Sequence, residues 1–242
     1  MKILLIRHGD PDFEIDGLTE KGKREVTLLT KRLLNARIDK IYCSPRGRAM
    51  LTAAPIAEAL GMEVEIVDLM REFNWARMRL PYLEGTAIAW EVLPEYINKE
   101  PDAYEPRTWS KMPCIEESEI YEGYRAVCNE FDSIIARHGY ERDGYNYRAV
   151  RPNHDTIAIF CHGGIISMLL SHLMNCSPYS TWQHACALAS SVTTICTEER
   201  RKGSVLMRII GFSDISHLYA GGEEPSFSAR FCECFDDATP HG

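Results

Sequence analysis

The chain has 242 residues, with 27 Lys and Arg against 35 Asp and Glu and a formal net charge of −8. Its hydrophobic residues (45%) and charged residues (26%) occur in the proportions of an ordinary globular protein. The negative balance argues against non-specific nucleic-acid binding, so positive charge for an anionic ligand has to be local. The length permits one large α/β domain or two small ones.

Cysteine usage and hydropathy limit the setting of the protein. Nine cysteines are scattered without the paired CxxC spacing of zinc sites. An odd number argues against a disulfide framework, and Cys232 and Cys234 are too close in sequence for a mutual bridge. The first apolar run is too short for a signal peptide, and no stretch is long enough to span a membrane. We therefore expect a cytoplasmic protein without a metal, cofactor, nucleic-acid or membrane partner, while its oligomeric state is left open.

The first predicted strand is the apolar run over 3–6, which ends abruptly at Arg7, His8 and Gly9. An unbroken apolar run of this length is typical of a parallel-sheet strand that is buried on both faces. Ligands of open α/β sheets bind at the carboxyl edge, where this strand would place a guanidinium and an imidazole. Gly9 lacks a Cβ and lets a ligand approach the backbone. Taken alone, His8 could equally be a structural residue that caps the strand.

The next elements alternate between helix and strand. A turn-rich loop over 10–17 leads to Thr19, a plausible N-cap, and Gly61 is the expected C-cap of a later helix. The predicted elements are a helix over 23–36, a strand over 38–42 that ends at Ser44, a helix over 46–60, and a strand over 63–67 that leads to Glu72. This order predicts a parallel sheet with right-handed crossovers.

Residues 73–150 interrupt this rhythm. They contain Trp75, Trp90 and Trp109, and prolines break up any long element except a helix predicted over 117–138. The polar segment 139–154 is predicted to be a loop. We interpret 73–150 as a cap insertion over the sheet edge and not as a separate domain.

The α/β rhythm returns with a strand over 156–160, followed by His162, Gly163 and an apolar helix over 165–175. Two further strands are predicted over 190–197 and 205–211, and 213–242 is expected to wrap the surface. The predicted fold is one three-layer α/β/α sandwich with a mostly parallel central sheet. Its core is 1–72 and 151–220, its cap insertion 73–150 and its C-terminal tail 221–242.

Polar side chains suited to a phosphate are expected together at the carboxyl edge of this sheet, because guanidinium groups and helix N-termini bind phosphate dianions. They are Arg7, His8, Ser44, Arg48, Glu72, His162 and Gly163. The ordered motifs resemble those of the histidine phosphatase superfamily, whose best-known members are phosphoglycerate mutases. The matching motifs are Arg7-His8-Gly9, Leu18-Thr19 followed by Gly22, Ser44-Pro45 with Arg48-Ala49 and Thr52-Ala53, Arg71-Glu72, and His162-Gly163.

The resemblance implies a phosphoglycerate mutase-like fold and a covalent mechanism. His8 would attack phosphorus as the neutral imidazole, and Arg7, Arg48 and His162 would hold the phosphate oxygens, together with Ser44 and Gly163. Glu72 would protonate the leaving oxygen and then activate water, although Glu84 is an alternative acid. No metal is required, because the guanidinium groups supply the positive charge. Arg46 is expected to face solvent.

Residues 10–14 favour hydrolysis over phosphate transfer. The mutases that the chain resembles carry an acidic residue, Ser and, shortly after, Asn behind Arg-His-Gly, whereas this chain has Pro11 and Glu14 in the segment. Pro11 offers neither a hydroxyl nor an N–H, and the Glu14 carboxylate would repel a phosphoglycerate. We expect a metal-independent phosphomonoesterase for a small phosphorylated metabolite. Mutase-type phosphotransfer and a non-catalytic phospho-ligand binding module are the alternatives. The cap cations expected to meet an anionic leaving group are Arg77, Arg79, Arg107 and Lys111.

Overall fold

The structure is a computed structural model and describes residues 1–226. Its strands are β1 (Lys2–Arg7), β2 (Pro11–Asp12), β3 (Gly17–Leu18), β4 (Lys40–Cys43), β5 (Val64–Ile66), β6 (Tyr140–Asp143), β7 (Asn146–Ala149), β8 (Thr156–Cys161), β9 (Val192–Glu199) and β10 (Ser204–Asp214). Its α-helices are α1 (Glu20–Leu33), α2 (Gly47–Leu60), α3 (Pro94–Ile97), α4 (Pro113–Glu116), α5 (Ile120–Arg137), α6 (Gly163–Met174), α7 (Pro178–Trp182) and α8 (Ser216–Ala220).

A central sheet of eight strands has the order β5-β4-β8-β1-β9-β10-β7-β6. The first four strands in this order, β5, β4, β8 and β1, are parallel to one another. The remaining neighbours, β1-β9, β9-β10, β10-β7 and β7-β6, pair in antiparallel fashion. Strands β2 and β3 form a separate two-stranded ribbon. The predicted α/β architecture, with helices on both faces of the central sheet, is confirmed. The parallel part of the sheet contains the strands that the motifs follow.

Strand β1 is buried on both faces, which explains its unbroken apolar run. Ile3 and Leu5 belong to a hydrophobic cluster with residues of α5 and α6, whereas Leu4 and Ile6 pack with residues of α1 and α2 on the other face. Because successive side chains of a strand alternate between faces, a strand between two helical layers needs apolar residues at every position.

Helices α1 and α2 have the capping residues that the sequence predicts. The Thr19 hydroxyl accepts the N–H of Gly22 and caps α1. Gly61 ends α2 in the left-handed conformation at φ 63°, where glycine carries no Cβ penalty. Helix α1 begins three residues before its predicted start, since the residues directly after the cap already form the first turn.

The loop prediction for 139–154 is wrong, because β6 and β7 form a hairpin there that pairs with β10 and extends the sheet. Tyr140 and Tyr147 point into the core, while Glu141 and Asp143 between them are exposed, so charged residues conceal the strand pattern. A two-residue turn joins the strands, with Gly144 at φ 59°. A glycine at that position is a hairpin signal that was present in the sequence.

Residues 73–119 contribute no strand to the central sheet. They contain α3, α4 and an isolated bridge between Met78 and Ala87. Phe73, Met78 and Trp109 belong to the same hydrophobic cluster as the side chains of β1 that face α5 and α6. This segment therefore packs directly onto the core of the α/β unit.

The last described residues pack against helix α1. Helix α8 lies near α1, and Glu223 forms ion pairs with Lys21 and Arg24 of that helix. Residues 227–242, including Cys232 and Cys234, lie outside the described part of the chain. Within residues 1–226, no helix is both long and apolar enough to cross a membrane.

Candidate active site

His8 follows β1 at the carboxyl edge of the sheet and is almost fully buried. Its Nδ1 lies 2.7 Å from the carbonyl oxygen of Gly9, so the N–H on Nδ1 donates there and the lone pair belongs to Nε2. The pKa of His8 is well below its usual value, first because of burial and then because of the positive charge of Arg7. The imidazole is therefore neutral at pH 7, with a nucleophilic nitrogen.

His162 lies beside His8 because β1 and β8 are parallel neighbours, with Arg7 opposite Cys161. The two imidazole rings are 5.1 Å apart between centroids, at an angle of 60°. His162 Nε2 lies 2.8 Å from Ser44 Oγ, whereas Nδ1 has no hydrogen-bond partner among residues 1–226. Burial, followed by the charges of neighbouring groups, lowers the pKa of His162 well below its usual value. In either tautomer, Nδ1 is a buried polar atom that a ligand could satisfy.

Two buried guanidinium groups lie near His8. Arg7 Nη1 donates to the carbonyl oxygen of Ala187 at 2.5 Å, and its Nε has no protein partner in the described chain. Arg48, on the first turn of α2, donates from Nε to His8 Nε2 at 3.3 Å. A Cβ on Gly163 would lie 3.6 Å from Arg7 Cζ, so this guanidinium packs against the start of α6. The site therefore combines two cations with a helix N-terminus, as an oxyanion requires.

Asp16 and Thr52 hold this arrangement, and the sequence prediction assigned neither of them a role. Asp16 accepts hydrogen bonds from Arg48 Nη1 at 2.5 Å and from the N–H of Gly47 at 2.9 Å. Thr52 Oγ1 accepts the N–H of Gly9 at 3.0 Å and donates to the carbonyl oxygen of Arg48. Thr52 belongs to the motif Thr52-Ala53, and Asp16 precedes Gly17 in the turn-rich loop. Neither pattern indicates a contact with Arg48.

Glu72 and Glu84, the two candidate acids, occupy different surroundings. Glu72 lies beside Arg7, and a Cβ on Gly164 would be 2.6 Å from its Oε1. Burial is the main cause that raises the pKa of Glu72 above the usual value of 4.5. Glu84 lies in an exposed turn and does not line the cavity at the site. Of the two carboxyls, only Glu72 lies at the cavity beside Arg7. Arg46 is only half-buried, and its charge helps to lower the pKa of His162.

A cavity of about 220 Å³ adjoins Arg7 and Glu72. Trp90 and Trp182 form its aromatic walls, and the start of α6 forms another side. Its lining consists of Arg7, Glu72, Trp90, Gly163, Gly164, Ser167, Trp182, Gln183, His184, Ala185, Cys186 and Ala187.

The four cap cations predicted to meet a leaving group do not line this cavity. Arg77 donates instead to Thr86, and Arg107 donates to Tyr145, both at the surface. Sequence composition showed that cations were present in the segment but not which way they point. No group of three or more His, Cys, Asp or Glu within residues 1–226 is arranged to hold a metal ion.

The family model described as the histidine phosphatase superfamily, branch 1, matches residues 3–209. Its match spans the elements that carry His8, Arg48, Glu72 and His162. The chain belongs to the histidine phosphatase superfamily, and it is a hydrolase-type enzyme of that family.

Individual relatives carry phosphatase names. Phosphoserine phosphatase 1 of Hydrogenobacter thermophilus is 26% identical over 83% of this chain and 89% of its own length. An adenosylcobalamin/alpha-ribazole phosphatase of Salmonella typhi is 24% identical over 75% of this chain and 84% of its own length. A crystal structure of phosphoserine phosphatase from Entamoeba histolytica has a TM-score of 0.57 at 19% identity, covering 90% of this chain and 98% of that one. That structural likeness concerns the fold.

Proposed function

We propose that the protein is a metal-independent phosphomonoesterase that forms a phosphohistidine on His8. The observation that carries this proposal is the position of His8 Nε2. This atom belongs to a neutral imidazole ring, and the guanidinium Nε of Arg48 lies 3.3 Å from it. When the substrate binds, the N–H of Arg48 turns from the Nε2 lone pair to a phosphoryl oxygen, and Nε2 then attacks phosphorus while the ester P–O bond breaks. Arg7, Arg48 and the unpartnered nitrogen of His162 stabilise the phosphoryl oxygens, and Ser44 orients His162.

Glu72 completes both halves of the reaction. Its raised pKa keeps the carboxyl protonated closer to neutral pH, so it can deliver a proton to the leaving oxygen and release an alcohol. The resulting carboxylate then takes a proton from water, which attacks the phosphohistidine and breaks the P–N bond. Inorganic phosphate leaves, and the acid and the imidazole return to their starting forms. Arg7 and Arg48 provide two positive charges, which is the physical basis for the metal-independent mechanism.

Hydrolysis is favoured over mutase-type transfer by the surroundings of residues 10–14. Asp10 is buried, and its carboxylate accepts hydrogen bonds from the hydroxyls of Thr19 and Ser226. Pro11 is part of the β2–β3 ribbon, and Glu14 is exposed on it. None of these groups provides the neutral hydroxyl and amide that would hold a phosphoglycerate, and the relatives described above are named phosphatases.

The substrate class and setting are part of the same proposal. We infer a small phosphorylated metabolite, in line with the phosphoserine and alpha-ribazole phosphatases among the relatives. We also infer that residues 73–119 act as the cap, because Trp90 from this segment lines the cavity next to Glu72. The cap in this proposal ends before residue 150, since β6 and β7 extend the central sheet. A cytoplasmic location rests on the odd number of cysteines.

The test is hydrolysis of p-nitrophenyl phosphate in EDTA by the wild type and by His8→Ala. We expect wild-type turnover in EDTA, an acid-labile phosphoenzyme, and loss of both in the variant. His154→Ala, at an exposed histidine, is the matched control and should keep full activity. Retention of more than about a hundredth of the activity by His8→Ala would contradict the covalent role. Phosphate binding without any turnover would instead support the non-catalytic binding module.

A further inference from the structure

We propose that the cavity beside Glu72 binds leaving groups that are flat, uncharged rings and excludes those that carry a carboxylate. This inference rests on the proposed function, because it assigns the cavity to the leaving group of a phosphomonoester. The assignment follows from position. Arg7 would hold the phosphate and Glu72 would protonate the leaving oxygen, and both residues line this one cavity.

The aromatic walls of the cavity are held by packing. Trp182 is 6% exposed, and its ring stacks on Phe73 at 6.1 Å and 11° and meets Trp109 edge-on at 6.2 Å. Trp90 is packed against the hydrophobic core and lies so close to Gly164 that a Cβ there would collide with its ring. Rigid aromatic walls favour a planar ring, because offset-stacked and edge-to-face pairs add to the energy of burial.

Three polar side chains of the lining are already engaged within the protein, whereas the buried indole Nε1 of Trp182 has no hydrogen-bond partner among residues 1–226. Ser167 donates to the carbonyl oxygen of Ala185 at 3.1 Å, and Gln183 donates to the carbonyl oxygen of Val92 at 3.1 Å. His184 Nε2 lies 3.3 Å from the hydroxyl of Tyr104. Using these groups for a ligand would require their present hydrogen bonds to break. The surface that remains for a leaving group is therefore mainly apolar.

The charges of the lining oppose a carboxylate. Arg7 is the lining guanidinium, and it faces the phosphate position, while Glu72 provides an acidic group close to the leaving oxygen. No lysine or second arginine is among the lining residues. A serine or glycerate leaving group would bring its carboxylate into this space next to the acidic Glu72, with no lysine or second arginine in the lining to pair it.

The size of the cavity fits one ring. Its volume is about 220 Å³, whereas an apolar cavity of about 150 Å³ binds benzene. A single substituted ring next to the phosphate therefore fills the space between Trp90 and Trp182. The inferred substrate class is a phosphate ester of an alcohol that carries such a ring one or two bonds from the ester oxygen.

The experiment compares kcat/KM for four esters: benzyl phosphate, cyclohexylmethyl phosphate, phosphoserine and methyl phosphate. The first two have similar leaving alcohols but differ in planarity. We expect benzyl phosphate to exceed cyclohexylmethyl phosphate by about 3- to 10-fold, which is the range expected of aromatic pairing. It should exceed phosphoserine by roughly 100-fold or more, because the carboxylate would be unpaired.

Variants at Trp90 test the wall directly. Trp90→Leu should lower kcat/KM for benzyl phosphate by about 10-fold and leave methyl phosphate within about 2-fold, whereas Trp90→Phe should keep the preference for the ring. Trp75→Leu is the matched control, since Trp75 lies in the same segment but does not line the cavity. Circular dichroism and melting curves identify any variant that fails to fold, and Trp90→Phe then provides the test.

Each outcome has a separate meaning. The assignment of the cavity would be overturned if kcat/KM for phosphoserine equalled that for benzyl phosphate, or if Trp90→Leu lowered kcat/KM equally for all esters. Either result would leave the proposed phosphatase activity intact. Equal rates for the benzyl and cyclohexylmethyl esters would overturn the requirement for a flat ring. No hydrolysis of any ester, together with no phosphoenzyme on His8, would overturn the proposed function and this inference with it.

Discussion

Asp16 holds the guanidinium of Arg48 through a hydrogen bond of 2.5 Å, and the same guanidinium donates to His8 at 3.3 Å. The carboxylate also accepts the N–H of Gly47 at the start of α2. One loop side chain therefore fixes both the helix that carries Arg48 and the direction of its side chain. Asp16 acts through Arg48 and is a positioning residue in the proposed mechanism.

Asp16→Ala is expected to lower kcat/KM by about 10- to 100-fold, which corresponds to the loss of one charge-assisted hydrogen bond. The loss should appear with every phosphate ester, and inorganic phosphate should inhibit the variant more weakly. Asp16→Asn keeps an acceptor for Gly47 and should recover stability more than activity. Asp12→Ala, in the same ribbon, is the control. Equal losses of stability and activity in both Asp16 variants would contradict the positioning role.

The dependence of activity on pH should identify Glu72 as the acid. The pKa of Glu72 is raised above 4.5, so its protonated form persists to higher pH, and the pKa of His8 is well below 6.5, so His8 remains neutral on mild acidification. The ratio of kcat/KM for benzyl phosphate between wild type and Glu72→Gln should be roughly 100 or more at low pH. It should fall as pH rises through the pKa of Glu72.

Glu84→Gln is the matched variant for this measurement, because Glu84 is the alternative acid and lies in an exposed turn. We expect kcat/KM within about 2-fold of the wild type at each pH. A ratio for Glu72→Gln that does not change with pH, or a large loss in Glu84→Gln, would show that the proton comes from elsewhere.

Stability should depend on pH through Glu25, a fully buried carboxyl of α1 that accepts the N–H of Asp10. Burial raises its pKa from 4.5 to about 7. Between these pH values the folded state binds more protons than the unfolded state, so this group makes folding less favourable as pH rises. Above pH 7 the penalty approaches about 3 kcal/mol, at 1.36 kcal/mol for each pKa unit.

Glu25→Gln should therefore melt at a higher temperature than the wild type at pH 8, with a smaller difference at pH 5. The amide oxygen can still accept the N–H of Asp10, which preserves the native contact. Glu20→Gln, at an exposed position of the same helix, should show no such dependence on pH. Parallel melting temperatures of Glu25→Gln and wild type across this range would contradict the assigned burial penalty.

Gly164 is expected to be intolerant of a side chain. A Cβ there would lie 2.6 Å from Glu72 Oε1 and would also collide with Trp90, so Gly164→Ala must displace the acid or the wall. We expect a loss in kcat/KM of about 10-fold or more for benzyl phosphate in a folded variant. Gly211→Ala is the control, because nothing lies within 4 Å of a Cβ at that position. Unchanged kinetics in Gly164→Ala would contradict the tight contact.

Local sequence patterns were enough to predict the parallel part of the fold and to predict that the two histidines lie side by side. The apolar run over 3–6 requires a strand buried on both faces, and the run before His162 requires the same. Parallel strands present their carboxyl ends at one edge, so residues that follow them meet there. The resulting distance of 5.1 Å between the His8 and His162 rings follows from local pattern and sheet geometry.

The contribution of the irregular segments could not be read from local patterns, because it depends on long-range packing. The path of the chain after β5 places Glu72 at the cavity and Glu84 in an exposed turn, and no local pattern separates these two carboxyls. Asp16 reaches Arg48 across 32 positions, and the cavity walls come from Trp90 and Trp182 in distant parts of the chain. Periodicity describes which face of a regular element is buried, whereas the direction of a loop side chain depends on packing against residues far away in sequence.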